Sequence, residues 1–217
     1  MSENLPTQRS KQIDEFLAKM TATRGRLVFA LDATASRQPT WDQACQLQGE
    51  MFTEAAKIGG LEIQLAYYRG LNDFQHFNWT SNARELAARM SRITCMPGET
   101  QIGRILAHIR NEHAQKPISA AIFVGDAMEE KEHALYDAAA GLGVPLFVFQ
   151  EGEDPKVEQT FREMARLTKG AYSKFTPGAA RELAELLRAV AAFAVGGLTA
   201  LADLRTDSAR KLLTQLK

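Results

Sequence analysis

LVFALDATASR, residues 27–37, joins a run of apolar side chains to three oxygen-bearing ones at two-residue steps, Asp32, Thr34 and Ser36. An uninterrupted apolar run suits a strand covered on both faces, as in a parallel sheet. Its abrupt end in Asp places a carboxylate at the strand's carboxyl terminus, the edge where open α/β sheets bind ligands. Residues two apart in an extended chain project to one side, so the spacing predicts that Asp32, Thr34 and Ser36 converge. A carboxylate with two hydroxyls, and no nitrogen or sulfur, favours Mg²⁺, Mn²⁺ or Ca²⁺ and argues against zinc.

Outward from this strand, helical and strand patterns alternate along the 217 residues. Ile13, Phe16, Leu17 and Met20 recur at helical spacing, which predicts an amphipathic helix over 12–22, and a second helix is predicted over 41–58. Short strands over 62–68 and 74–79, joined by a tight turn, read as an antiparallel pair at one edge. A helix over 83–93 with Ser81 as its cap follows, then one over 101–114 opened by Thr100. A second apolar strand, 119–124, also runs into an aspartate, Asp126. A helix over 129–141, a strand over 145–149, a helix over 155–168 capped by Asp154 and a weaker strand over 171–175 complete the alternation. The order specifies a three-layer α/β sandwich: a mainly parallel, six-stranded Rossmann-like sheet with one antiparallel edge strand, helices on both faces and extra terminal helices. The expected organisation is a helical extension over 1–25, the α/β domain over 26–177, and C-terminal helices over 178–217 packed on that domain.

Composition narrows the function. The chain is 45% hydrophobic and 24% charged, with 26 basic and 26 acidic side chains, so neither nucleic acid nor an acidic membrane is indicated as partner. The apolar run 189–202 falls short of the roughly 20 residues of a membrane span and contains a Gly-Gly pair, so it is expected to pack on the sheet with a break at Gly196 and Gly197. The polar opening has no secretory pattern, and two distant cysteines, Cys45 and Cys95, fit a reduced, cytoplasmic compartment. His108 and His113 stand five apart and share no helix face, His76 has no evident partner, and the stretch EEKEH containing Glu129 and His133 reads as a solvated helix face.

The order of elements with LDATAS resembles the von Willebrand factor type A family, whose metal-ion-dependent adhesion site carries Asp-x-Ser-x-Ser, a distant Thr and a later Asp. Asp32, Thr34 and Ser36 match the first motif, with Thr in place of the usual first Ser. PGETQIGRIL matches the Gly-rich turn of the family with Gly98, Thr100, Gly103 and Leu106, and Asp126 in VGDA matches the last ligand. The resemblance spans residues 26–175. It implies a divalent cation, Mg²⁺ first and Mn²⁺ or Ca²⁺ as alternatives, held by Asp32, Thr34, Ser36, Thr100 and Asp126. It further implies a partner protein supplying an Asp or Glu carboxylate to that metal, in an assembly such as one with a motor ATPase, and no enzymatic activity. Glu99, where the family commonly has Gly, adds a carboxylate that either lowers the appetite for an acidic ligand or competes as an internal one. The chain has no G-x-x-x-x-G-K-[ST] loop of its own. Two other readings stay open: a metal-dependent phosphoester hydrolase, for which no general acid is evident, and a scaffold whose metal site is degenerate.

Overall fold

A computed structural model describes residues 25–38, 60–176 and 180–216. The helices expected over 12–22 and 41–58, with Cys45, lie outside these residues. The described chain forms six strands: β1 (Gly25–Asp32), β2 (Leu61–Arg69), β3 (Asp73–His76), β4 (Ala120–Gly125), β5 (Leu146–Glu151) and β6 (Tyr172–Phe175). Its helices are α1 (Ala83–Met90), α2 (Ile102–Gln115), α3 (Glu132–Ala140), α4 (Pro155–Leu167), α5 (Ala180–Asp203) and α6 (Asp207–Leu213).

The strands form one sheet in the order β3-β2-β1-β4-β5-β6, parallel throughout except for β3, which runs antiparallel to β2 at the edge. β1 is central, and the reason lies in its sequence. Leu27, Phe29 and Leu31 enter the core on one face, with α1, α5 and α6; Val28 and Ala30 enter the core on the other, with α2, α3 and α4. A strand with a core on each face has no solvent side to fill with polar residues, which is why its apolar run is unbroken.

Several element boundaries differ from expectation for local reasons. Asn82, rather than Ser81, caps α1, its side chain accepting from the backbone N–H groups of Arg84 and Glu85 at 3.0 and 3.2 Å. Asp154 caps α4 as expected, accepting from Lys156 and Val157. The helix expected from 129 begins only at Glu132, because Glu129 and Glu130 turn back to the start of α2. β3 stops at His76, after which the chain touches β2 again through a bridge between Ile63 and Thr80.

α5, at 24 residues, is longer than the apolar run suggested, and among the described residues it is the one helix long and apolar enough to cross a membrane. Leu183, Leu187, Val190 and Ala194 on its buried face join the core beside β1 and β4. The expected break is at Gly197, whose φ of 64° and ψ of −153° only glycine adopts freely.

Candidate functional site

The carboxyl ends of β1, β2 and β4 lie side by side, with Asp32 in register with Tyr68, and Leu31 with Val124. Asp32 is fully buried at the end of β1. Its Oδ1 accepts the Thr34 backbone N–H at 2.7 Å and its Oδ2 accepts the Tyr68 hydroxyl at 2.9 Å. Burial pushes the Asp32 carboxyl above its ordinary value, and the charge of Asp126 adds to the rise; hydrogen bonds from Thr34 and Tyr68 oppose it. Burial and the surrounding carboxylates, Asp32 foremost, push the Tyr68 phenol well above its usual range, so it remains a donor.

Past Asp32 the chain is pinned on both sides. Ala33 donates to the Tyr68 carbonyl at 2.9 Å, Met96 donates to the Ala33 carbonyl at 3.1 Å, and Thr34 bridges Met96. The loop then leaves the extended path expected of it and enters a 3₁₀ turn, Ala35–Arg37, closed by the Arg37 N–H on the Thr34 carbonyl at 3.1 Å. The turn brings Ser36 back, so the Thr34 and Ser36 hydroxyl oxygens stand 3.1 Å apart. Thr34 is buried, whereas Ser36 is open to solvent. The segment carrying Met96 is held close by Gly98: a methyl group there would sit 2.0 Å from the Gly70 carbonyl oxygen, so no larger residue permits this approach.

Asp126 follows β4 directly. A side chain on Gly125 would begin 3.6 Å from the Asp32 Cβ, which shows how closely the two strand ends approach. One Asp126 oxygen, Oδ1, is buried with no hydrogen-bond donor.

Thr100 is placed differently from expectation. It does not cap α2, whose preceding residue is Gln101. Its hydroxyl donates to Glu130 Oε2 at 2.5 Å and accepts the Glu129 backbone N–H at 2.9 Å, while its own N–H donates to Glu129 Oε2 at 2.8 Å. Glu130 Oε1 also accepts the backbone N–H groups of Ile102 and Gly103, the free donors that open α2. The extra carboxylates of this region are therefore Glu129 and Glu130, while Glu99 is exposed. None of the Thr100 hydrogen bonds among the described residues reaches the strand-end group; the Tyr68 phenol, bonded to Asp32, feels the charges of Glu130 and Asp126 as well.

Arg37 is a further charged residue here that the sequence did not single out. Its side chain is 1% exposed and ion-paired with Glu151, at the end of β5. Burial lowers its guanidinium from the ordinary value; the charges of Asp126 and Asp32 oppose that.

Among the described residues no group of three or more His, Cys, Asp or Glu side chains is assembled for a metal. The donor set in question instead combines two carboxylates with hydroxyls. It fits a hard cation on two counts: every donor is oxygen, and a buried carboxylate oxygen lacks a partner that a cation would supply.

A sheet in this order, flanked by helices and carrying oxygen donors on its carboxyl edge, has the fold of von Willebrand factor type A domains. The chain is similar to a von Willebrand factor type A protein from Catenulispora acidiphila, with 17% identity and a TM-score of 0.61, covering 80% of this chain and 43% of that one. It is similar to the VWA domain of SpRpn10, with 11% identity and a TM-score of 0.58, over 73% of this chain and 94% of that one. It also resembles the vWF domain of the type V pili tip protein Mfa5 from Porphyromonas gingivalis, with 10% identity and a TM-score of 0.57, over 76% and 93% of the two chains. No protein-family model and no curated protein matches the chain.

Proposed function

We propose that this protein is a metal-dependent protein-interaction module. A divalent cation, Mg²⁺ first with Mn²⁺ or Ca²⁺ as alternatives, is held by Asp32, Thr34, Ser36, Thr100 and Asp126, and an Asp or Glu carboxylate of a partner protein completes its shell. The observation that carries this reading is the buried, donorless oxygen of Asp126 beside the buried carboxylate of Asp32. Two carboxylates drawn together out of water repel each other, and a divalent cation relieves that repulsion while leaving attraction for an outside anion. The fold supports an interaction role, since the similar structures include a VWA domain and a pili tip domain. An assembly with a motor ATPase in the cytoplasm is the setting we propose for the partner. It rests on the resemblance of the motifs and on the absence of a nucleotide-binding loop in this chain.

Calorimetric titration of Mg²⁺ and Mn²⁺ into the chelator-stripped protein, with Asp126→Ala alongside, tests the reading. One-site binding that disappears in the variant is the expected result. Folded wild type that takes up neither cation would overturn it. Turnover of a generic phosphoester, abolished by Asp126→Ala, would instead place the site among metal-dependent hydrolases.

A further inference from the structure

β6 is an edge strand of the sheet, and its register with β5 fixes which of its backbone groups face outward. Val148 donates to the Ala171 carbonyl at 2.9 Å and Gly152 to the Phe175 carbonyl at 3.2 Å. Parallel pairing in this register turns the backbone groups of Ser173 and Phe175 towards β5, and those of Tyr172 and Lys174 away from it. An outward row of this kind is a template for another strand. Among the described residues, the outward N–H and C=O of Lys174 have no partner. Those of Tyr172 do. Its N–H donates to Gln215 Oε1, and its carbonyl accepts from Gln215 Nε2, both at 2.9 Å. One residue exchanging both bonds with its neighbour is the pattern of an antiparallel strand pair. Gln215, just past α6, completes that pattern with a side-chain carboxamide where a strand would bring a backbone.

Beside this contact lies a cavity of about 260 Å³, lined by Arg162, Ala165, Arg166, Gly170, Tyr172 and Gln215. Its charged lining is cationic only. Arg162 lies over the Tyr172 ring at 4.3 Å, while Glu158 and Glu163, which pair with Arg162 and Arg166, do not line the cavity. Both pairs sit on the open surface of α4, with the arginine side chains 57% and 69% exposed, so they hold the guanidiniums weakly. A residue paired directly opposite Tyr172 carries its side chain on the Tyr172 face of the sheet. That is the α4 face, where the cavity lies.

We infer that the β6 edge accepts an extended segment of a partner protein as an added antiparallel strand, with an Asp or Glu opposite Tyr172 whose carboxylate meets Arg162 and Arg166. Gln215 holds the place of that strand and is displaced by it. The surface shares no residue with the candidate cation site, and the inference does not rest on the metal reading.

The test uses the full chain and a short fluorescein-labelled peptide of alternating threonine and valine with one central glutamate, read by fluorescence polarisation. Gln215→Ala should bind this peptide roughly ten-fold more tightly than the unsubstituted chain, because two hydrogen bonds no longer compete with it. If circular dichroism shows that Gln215→Ala loses the fold, Gln215→Met, which keeps the bulk of the side chain, takes its place. Lys174→Pro removes an outward donor where edge strands tolerate proline, and it should abolish binding. Lys174→Ala keeps that donor and should not. A peptide with lysine in place of the glutamate should bind roughly three-fold or more weakly, and Arg162→Gln/Arg166→Gln should erase that difference. Equal affinity of the Gln215 variant and the unsubstituted chain overturns the place-holding role. No binding to either, or binding that survives Lys174→Pro, overturns strand addition. Equal affinity for the glutamate and lysine peptides overturns the acidic preference. A Gln215 variant that dimerises in sedimentation and takes up no peptide overturns the partner segment in favour of a second copy of this chain.

Discussion

Glu130 does the work at the mouth of α2 that the turn sequence assigned to Thr100. Its carboxylate takes the Thr100 hydroxyl at 2.5 Å with one oxygen and the first free N–H groups of the helix with the other. Charge-assisted bonds of this kind at a helix N-terminus are worth more than neutral ones. Glu130→Gln keeps the shape and removes the charge, and it should cost about 1–2 kcal/mol in urea denaturation. Glu99→Gln, at an exposed position in the same region, should leave the midpoint unchanged. Equal midpoints for both variants and wild type would show that Glu130 does not hold the start of α2.

Among the elements, the contact between edge strand β3 and α2 carries a pH dependence. His76 on β3 stacks against His108 on α2 with ring centroids 4.5 Å apart, and Phe74 covers the other approach at 5.3 Å. The expectation that His76 lacks a partner is corrected here: β3 and α2 meet across Gln64 of β2, whose side-chain oxygen lies 2.9 Å from His108 Nε2. Burial lowers the His108 imidazole below its ordinary value, the neighbouring His76 lowers it further, and Glu112 opposes the drop. The folded state therefore resists a proton that the unfolded chain accepts. Stability is fully present above the unfolded value, about 6.5, and is lost as pH falls below it towards the depressed folded value. Denaturant midpoints should decline from pH 7.5 to pH 5.5, and His108→Gln should remove part of that decline. An identical decline in the variant would sever the link between this contact and pH.

At the scale of the whole molecule, the sheet has an apolar core on each face and owes neither to the carboxyl edge. The chelated protein should therefore stay folded by circular dichroism. Bound cation should add stability by mass action alone. At about one hundred times its Kd, Mg²⁺ contributes about 2.7 kcal/mol. For a chain of this size that raises Tm by roughly 5–10 °C. Scanning calorimetry with Mg²⁺ and with chelator measures the difference. No rise at saturating Mg²⁺ would count against a cation bound selectively by the folded state.

The sequence by itself determined the layers and the sheet. Apolar runs at 27–31 and 119–124, alternating with helical spacing, leave few ways to bury both strand faces, and the tight turn after Arg69 allows only an antiparallel neighbour. It also placed Asp32 and Asp126 on one edge, because both directly follow or end parallel strands. Boundaries around Ser81, Thr100 and Glu129 differ from what the local pattern predicts, because each depends on which of several nearby polar side chains reaches the free helix donors. That choice is made by packing. The tertiary structure alone decided the surroundings of the candidate ligands. Tyr68 reaches Asp32 through strand register, Glu130 reaches Thr100 across 30 positions of chain, and Arg37, just past β1, finds Glu151 at the end of β5, two strands away. Such partners carry no local pattern. Charges on residues distant in sequence act on one another only after folding has excluded the water between them.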